Sequence, residues 1–97
     1  MIDLIEKVEQ WGIDKGFVVP ENNYKQFAKL VEEVSEVGTA LNNNDRFELI
    51  DAIGDSMVVL ILLARMNGLK AEQCLEVAYD EIKGRTGKTV NGVFIKD

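Results

Sequence analysis

Two acidic clusters, Glu32-Glu33-x-x-Glu36 and Glu48-x-x-Asp51-x-x-x-Asp55, lie inside stretches whose apolar residues repeat with a helical period. Any fold of this chain must place both clusters beside apolar helix faces. Carboxylates held there repel one another and lose hydration, so they raise the expectation of a shared divalent cation such as Mg²⁺, with Mn²⁺ as a variant; such ions are hard and take oxygen ligands.

The apolar spacing predicts an all-α bundle of four to five helices. Residues 2–15 read as an amphipathic helix with Ile2, Ile5, Val8 and Trp11 along one face. Gly16, Pro20 and Asn22-Asn23 mark a connection. A second helix is expected from about Asn22 to Leu41, where Phe27, Leu30, Val31, Val34, Val37 and Leu41 follow the i, i+3, i+4, i+7 pattern. Asn42 to Asn44 end it, and Asp45 is suited to cap the third helix, roughly Arg46 to Asn67, through its side-chain oxygen. That helix holds the unbroken apolar run Met57 to Ala64. A helix apolar on all sides belongs in a bundle interior, and this run is too short to span a bilayer. Gly68 is a fitting residue to close it. A fourth helix, about Lys70 to Lys83, is expected to turn Ala71, Cys74, Leu75, Ala78 and Ile82 to the core. The ending, GRTGKTVNGVFIKD, reads as an irregular or short extended tail that packs onto something.

Projection at about 100° per residue places Gln26, Lys29, Glu33 and Glu36 in a polar stripe beside the apolar arc of the second helix, with Glu32 farther toward solvent. On the third helix it brings Glu48, Asp51 and Asp55 into an arc of roughly 60° with Val59 and Leu62. If the two helices are antiparallel neighbours, Glu33 and Glu36 face Asp51 and Asp55 across a groove. For Glu32 a solvated helix face competes with a functional role, and for Lys29 a surface ion pair competes with a phosphate contact. Trp11 reads as a core residue in preference to a base-stacking platform. Gly54 sits in a helix interior immediately before Asp55, which hints at close helix approach near the acids.

Composition removes other chemistries. The 97 residues form one domain, 1–97, small enough that a monomer buries only a modest core, so homo-oligomerisation is expected to complete the bundle. A formal net charge of −6 argues against a broad nucleic-acid or membrane-binding surface. There is no histidine and Cys74 is the lone cysteine, which excludes a disulfide framework, cysteine zinc sites and histidine-dependent nucleophilic catalysis. The amino-terminal residues do not read as a signal peptide, and a reducing cytoplasm fits best.

KLVEEVSEVGTAL followed by ELIDAIGDSMVVLILLARMNGL resembles the MazG-like all-α nucleoside triphosphate pyrophosphohydrolases, which carry E-E-x-x-E on one helix and E-x-x-D on the next. The ending DEIKGRTGKTVNGVFIKD is similar to the small phage-type and bacterial single-domain members. The resemblance implies Mg²⁺-dependent hydrolysis of (deoxy)nucleoside triphosphates between the α and β phosphates, in a homodimer or homotetramer. Glu33, Glu36 and Asp55 match metal-ligand positions. The acid expected three residues before Asp55 is Ala52, and Asp51 or a water is the expected substitute. Glu32 or Glu36 is the candidate base. Gln26, Lys29, Lys83, Arg85 and Lys88 are candidate substrate contacts, as is Asp80, which stands where an Asn is expected. A catalytically silent helical metal- or partner-binding module and a hydrolase of another diphosphate-containing nucleotide are the alternatives.

Overall fold

The computed structural model describes residues 2–97, with side chains from Asp3 onward. The place assigned to the Ile2 side chain therefore lies outside the described residues. Four helices follow in order: α1 (Ile2–Lys15), α2 (Asn23–Asn42), α3 (Arg46–Met66) and α4 (Ala71–Ile82). A single 3-10 turn, Pro20–Asn22, precedes α2, and two strands, β1 (Gly87–Val90) and β2 (Val93–Lys96), close the chain. The fold is an all-α bundle with one small hairpin.

Local chemistry sets these boundaries. The Asp45 carboxylate accepts a hydrogen bond from the Glu48 backbone N–H at 3.1 Å, so α3 begins with a side-chain cap. Its other end closes through two backbone bonds, Gly68 N–H to Arg65 O and Leu69 N–H to Ala64 O, with Gly68 at φ 71°. This Schellman arrangement needs a left-handed residue, and glycine takes that conformation without steric cost. The primary amides of Asn23 and Asn67 exchange two hydrogen bonds of 2.9 Å. They tie the start of α2 to the end of α3, so the two helices run antiparallel.

The core is narrow. Ile5, Ala40, Ala52, Val59, Ile61, Leu62 and Met66 are its buried apolar residues, and Leu62 is only 1% exposed. Small residues, Ala40 on α2 and Ala52 on α3, occupy the buried α2–α3 side. On α1 the close approach is at Gly12, where a Cβ would stand 2.5 Å from Leu62 Cδ2. Gly54 is exposed, and an added Cβ would meet nothing within 4 Å, so the close approach expected there is absent.

The remaining apolar residues correct the expected core. On α2, Phe27, Val31, Val34 and Leu41 are exposed, while Leu30 and Val37 are half-buried. Met57 and Leu60 of the apolar α3 run face outward. Helix α4 packs only lightly on α1 and α3, leaving Cys74, Leu75, Ala78 and Ile82 exposed and Ala71 half-buried. The tail takes the second of its two expected forms, a short extended segment, and pairs as an antiparallel hairpin. Asn91 (φ 50°) and Gly92 (φ 81°) form its two-residue turn, and two successive positive φ values give the twist that a tight hairpin requires.

Candidate active site

Glu33 is the pivot of the acidic groove. It is 6% exposed, its Oε1 lies 3.2 Å from Lys29 Nζ, and its buried Oε2 has no hydrogen-bond partner. A buried carboxylate oxygen without a partner carries a desolvation cost that a cation or a donor would offset. One turn before it on α2, Lys29 also stands 3.8 Å from Glu32, which is exposed. Hydrogen bonding to Glu33, followed by the charges of Glu32 and Glu33, holds the Lys29 ammonium above its ordinary pKa.

The two other carboxyls beside Glu33 are pushed the opposite way from a relaxed ion pair. The Glu36 carboxyl is raised above its ordinary range, first by the Glu33 charge and then by desolvation. Asp55 is raised first by desolvation, then by Asp51 and Glu33. Like charges across α2 and α3 therefore sense one another, and Lys29 offsets only part of the repulsion.

These residues border two hollows. The larger, of about 480 Å³, gathers Gln26, Lys29, Glu33 and Asp55 with Trp11 and Phe17. Trp11 is half exposed, and the Phe17 ring meets it edge-on at 6.0 Å. Trp11 is thus a wall of the hollow, not the core residue expected. Lys25 joins the same wall, a cation that the helical projection had not singled out. The smaller hollow, about 220 Å³, lies near the α2–α3 turn and is lined by Glu36, Asp45 and Glu48 among others. Asp51 is exposed beside Asp55.

Ala52 has a packing role. It is 2% exposed, so a carboxylate at that position would enter the core. The acids on either side, Asp51 and Asp55, fall outside that contact. Glu48 and Asp51 themselves have the E-x-x-D spacing, one turn earlier than the pair ending at Asp55.

The candidate substrate contacts Asp80, Lys83, Arg85 and Lys88 lie elsewhere within the chain. Lys83 pairs with Asp80 at 3.0 Å and stands 5.9 Å from the Tyr79 ring centroid, all on or at the end of α4. Arg85 and Lys88 belong to the approach to the hairpin and to β1. Neither α4 nor the hairpin packs substantially on α2. One chain therefore groups Gln26 and Lys29 with the acids and leaves Asp80, Lys83, Arg85 and Lys88 apart.

Among the described residues no three acidic or cysteine side chains converge as a ready-made metal cage. The donor set nevertheless fits a hard divalent cation. Its ligands would all be carboxylate oxygens, and Glu33 Oε2 is buried without a partner while its charge perturbs the Glu36 and Asp55 carboxyls.

The fold is thus all-α, and Glu33, Asp55 and Lys29 border one open hollow between its helices. The sequence profile of the phosphoribosyl-ATP pyrophosphohydrolase family matches residues 15–81, and the chain belongs to that family. The match spans α2, α3 and most of α4. A 64-residue stretch, 66% of the chain, is 39% identical to the uncharacterized 18.2 kDa protein in the rep-hol intergenic region of Haemophilus phage HP1 (strain HP1c1). This chain spans 39% of that relative's length. No solved structure matches. Among the described residues no helix is long and apolar enough to cross a membrane.

Proposed function

We propose that the chain hydrolyses nucleoside or deoxynucleoside triphosphates to the monophosphate and pyrophosphate with Mg²⁺. The observation that carries this reading is Glu33: a buried carboxylate with an unpartnered oxygen, joined to Lys29 and coupled to Glu36 and Asp55. Glu33, Glu36 and Asp55 would hold the metal, with Asp51 the nearest additional carboxylate. Bound there, Mg²⁺ supplies charge neutralisation for the phosphates and the pyrophosphate leaving group.

The chain's own groups supply positioning and proton transfer. A water attacks the α-phosphorus, the bond from that phosphorus to the α–β bridging oxygen breaks, and the water's proton passes to a carboxylate. Glu32 and Glu36, both exposed on α2 beside the buried Glu33, are the two candidates for that base, and Glu32 is the one not also called on to hold the metal. Lys29 would move from Glu33 to a phosphate oxygen, and Gln26 lies on the same wall. Trp11 and Phe17 offer an aromatic surface for the base. The hollow's volume falls in the usual range of small-molecule pockets, roughly 300–1,000 Å³.

Family membership favours a second substrate, phosphoribosyl-ATP, through the same cleavage between α and β phosphates. The deciding assay is pyrophosphate release from eight ribo- and deoxyribonucleoside triphosphates and phosphoribosyl-ATP, with and without Mg²⁺. Metal-dependent release should fall at least about 100-fold in Glu36→Gln and Asp55→Asn, in line with losses on removing one charge-stabilising group. No release from any substrate by folded wild-type protein with Mg²⁺ would sink the enzymatic reading in favour of a silent binding module.

The reading extends to a homo-oligomer. A compact monomer of 10.9 kDa is expected to expose about 5,600 Å², whereas this chain exposes 7432 Å². Its radius of gyration, 15.7 Å, likewise exceeds the roughly 12.5 Å expected at this length. The excess area is of the order that an obligate partner covers. Phe27, Val31 and Val34 on α2, with Ile50, Ile53 and Met57 on α3, supply exposed apolar surface for a second pair of helices.

A further inference from the structure

The hairpin is an amphipathic arm with nothing beneath it. Its register pairs Lys88 with Ile95 and Val90 with Val93, so strand alternation puts these four side chains on one face. On the other face Phe94 leans over Gly87 and is itself half exposed. Val90, Val93 and Ile95 remain exposed, and the hairpin packs substantially on no helix of its own chain. An isolated two-stranded hairpin is at best marginally stable in water. This one has the composition of a strand pair meant to be covered.

A matching cavity lies between α1, α3 and α4. It measures about 620 Å³ and its wall is almost wholly apolar, with Ile5, Leu60, Leu69, Cys74 and Leu75 among its residues. One lining group breaks that pattern. Glu72 Oε2 is shut off from solvent and has no hydrogen-bond partner. The cavity therefore suits an occupant that is apolar with a cation at its edge.

We propose that the hairpin of one chain seats in the α1–α3–α4 cavity of a second copy, with Val90, Val93 and Ile95 against the apolar wall and Lys88 reaching Glu72. Both surfaces are carried by every chain, so two copies exchange arms around a twofold axis and the contact closes. The uncovered area already calls for a partner of this size. The inference rests on the homo-oligomer reading and assigns Lys88 to assembly in place of substrate binding.

The native cysteine provides the test. Two tagged forms are co-expressed, one with Cys74 intact and the other carrying Cys74→Ser with Ile95→Cys, and the purified oligomer is oxidised with diamide. A disulfide between Cys74 of the first form and the introduced thiol of the second is the expected product, identified by its linked peptides. In parallel, Glu72→Lys should weaken self-association about tenfold or more, and adding Lys88→Glu should restore it. A stable oligomer that gives neither the mixed disulfide nor the charge-swap rescue overturns arm exchange and leaves the homo-oligomer reading standing. A chain that stays monomeric at all concentrations overturns both. A disulfide confined within one chain, obtained in the single variant Ile95→Cys, would show the arm folding onto its own cavity and would also overturn the exchange.

Discussion

The α1–α3 body and the α4–hairpin end leave different groups incomplete. In the body, Glu33 is buried between helices with only Lys29 paired to it, while at the other end Leu75, Ile82 and Val93 stand in solvent and the Lys83–Asp80 pair is exposed. Each arrangement is unfavourable for an isolated chain. A buried carboxylate with an unmet oxygen marks a place where a ligand completes the structure, and an apolar arm marks a place where a protein does. The body is thus where chemistry is expected, beside an exposed α2–α3 apolar face that also calls for a partner, and the far end is where assembly alone is expected.

The sharpest test of that division puts a second acid into the body. Ala52→Glu restores the carboxylate three residues before Asp55, but the side chain would enter a position that is 2% exposed. The expected result is a loss of about 3–5 kcal/mol, the cost of an uncompensated buried charge. Urea unfolding measures it. Unchanged stability would mean that position 52 opens toward the acids, and the assignment of Ala52 to packing would fail.

A matched pair of truncations follows. Leu62 is buried against α1, and Leu62→Ala should cost about 3 kcal/mol at any protein concentration. Leu75 is exposed in the single chain but lines the α4 cavity. Leu75→Ala should therefore change monomer stability by no more than about 0.5 kcal/mol and act on association instead, so that its effect shrinks on dilution. Equal, concentration-independent losses at both positions would erase the distinction between core and interface.

The same division governed what could be read from the residues. Helix boundaries were legible because they are set locally: Asp45 caps its own α3, Gly68 supplies a left-handed residue, and the apolar period runs through each segment. The grouping of Lys29 and Glu33 with Asp55 followed from helical projection and a short α2–α3 turn. Burial was less legible. Periodicity says which side chains share a face, but not whether that face meets its own chain, and so Leu75 and Ile82 were placed in a core that one chain does not form. Trp11 was misplaced for a related reason, since a large aromatic at helical spacing fits a cavity wall as well as a core. Asn91-Gly92 between two β-branched runs is the signal that an extended tail pairs with itself as a hairpin, a step beyond the expected irregular or short extended segment. Glu9 left no signal at all: it is 5% exposed on α1, with one oxygen unpartnered, in an otherwise ordinary amphipathic pattern.

The smallest expected effect concerns proton linkage within the body. Glu36 and Asp55 have raised pKa values in the fold, so the native state holds their protons to higher pH than the unfolded chain does. Stability consequently falls as pH rises from the ordinary carboxylate range through the raised values, and their penalty is fully present above them. Lys29 has the opposite linkage: its raised pKa stabilises the native state below the ordinary lysine value, and that contribution is lost as pH climbs through the raised one. Around neutral pH the carboxylate penalty and the lysine contribution therefore coexist. Asp55→Asn should raise the melting temperature of metal-free protein slightly at pH 7.5, and the gain should shrink as pH falls through the raised value and vanish below the ordinary carboxylate range. Mg²⁺ should raise the wild-type melting temperature more at pH 7.5 than at pH 5, because a cation competes with protons for the same oxygens. Thermal melts at these pH values, with Mg²⁺ or with a chelator, provide the measurement. If Asp55→Asn lowers the melting temperature at pH 7.5 without metal, Asp55 is a structural partner of the body, and the contrast between its unmet charge and the uncovered apolar arm loses one of its two sides.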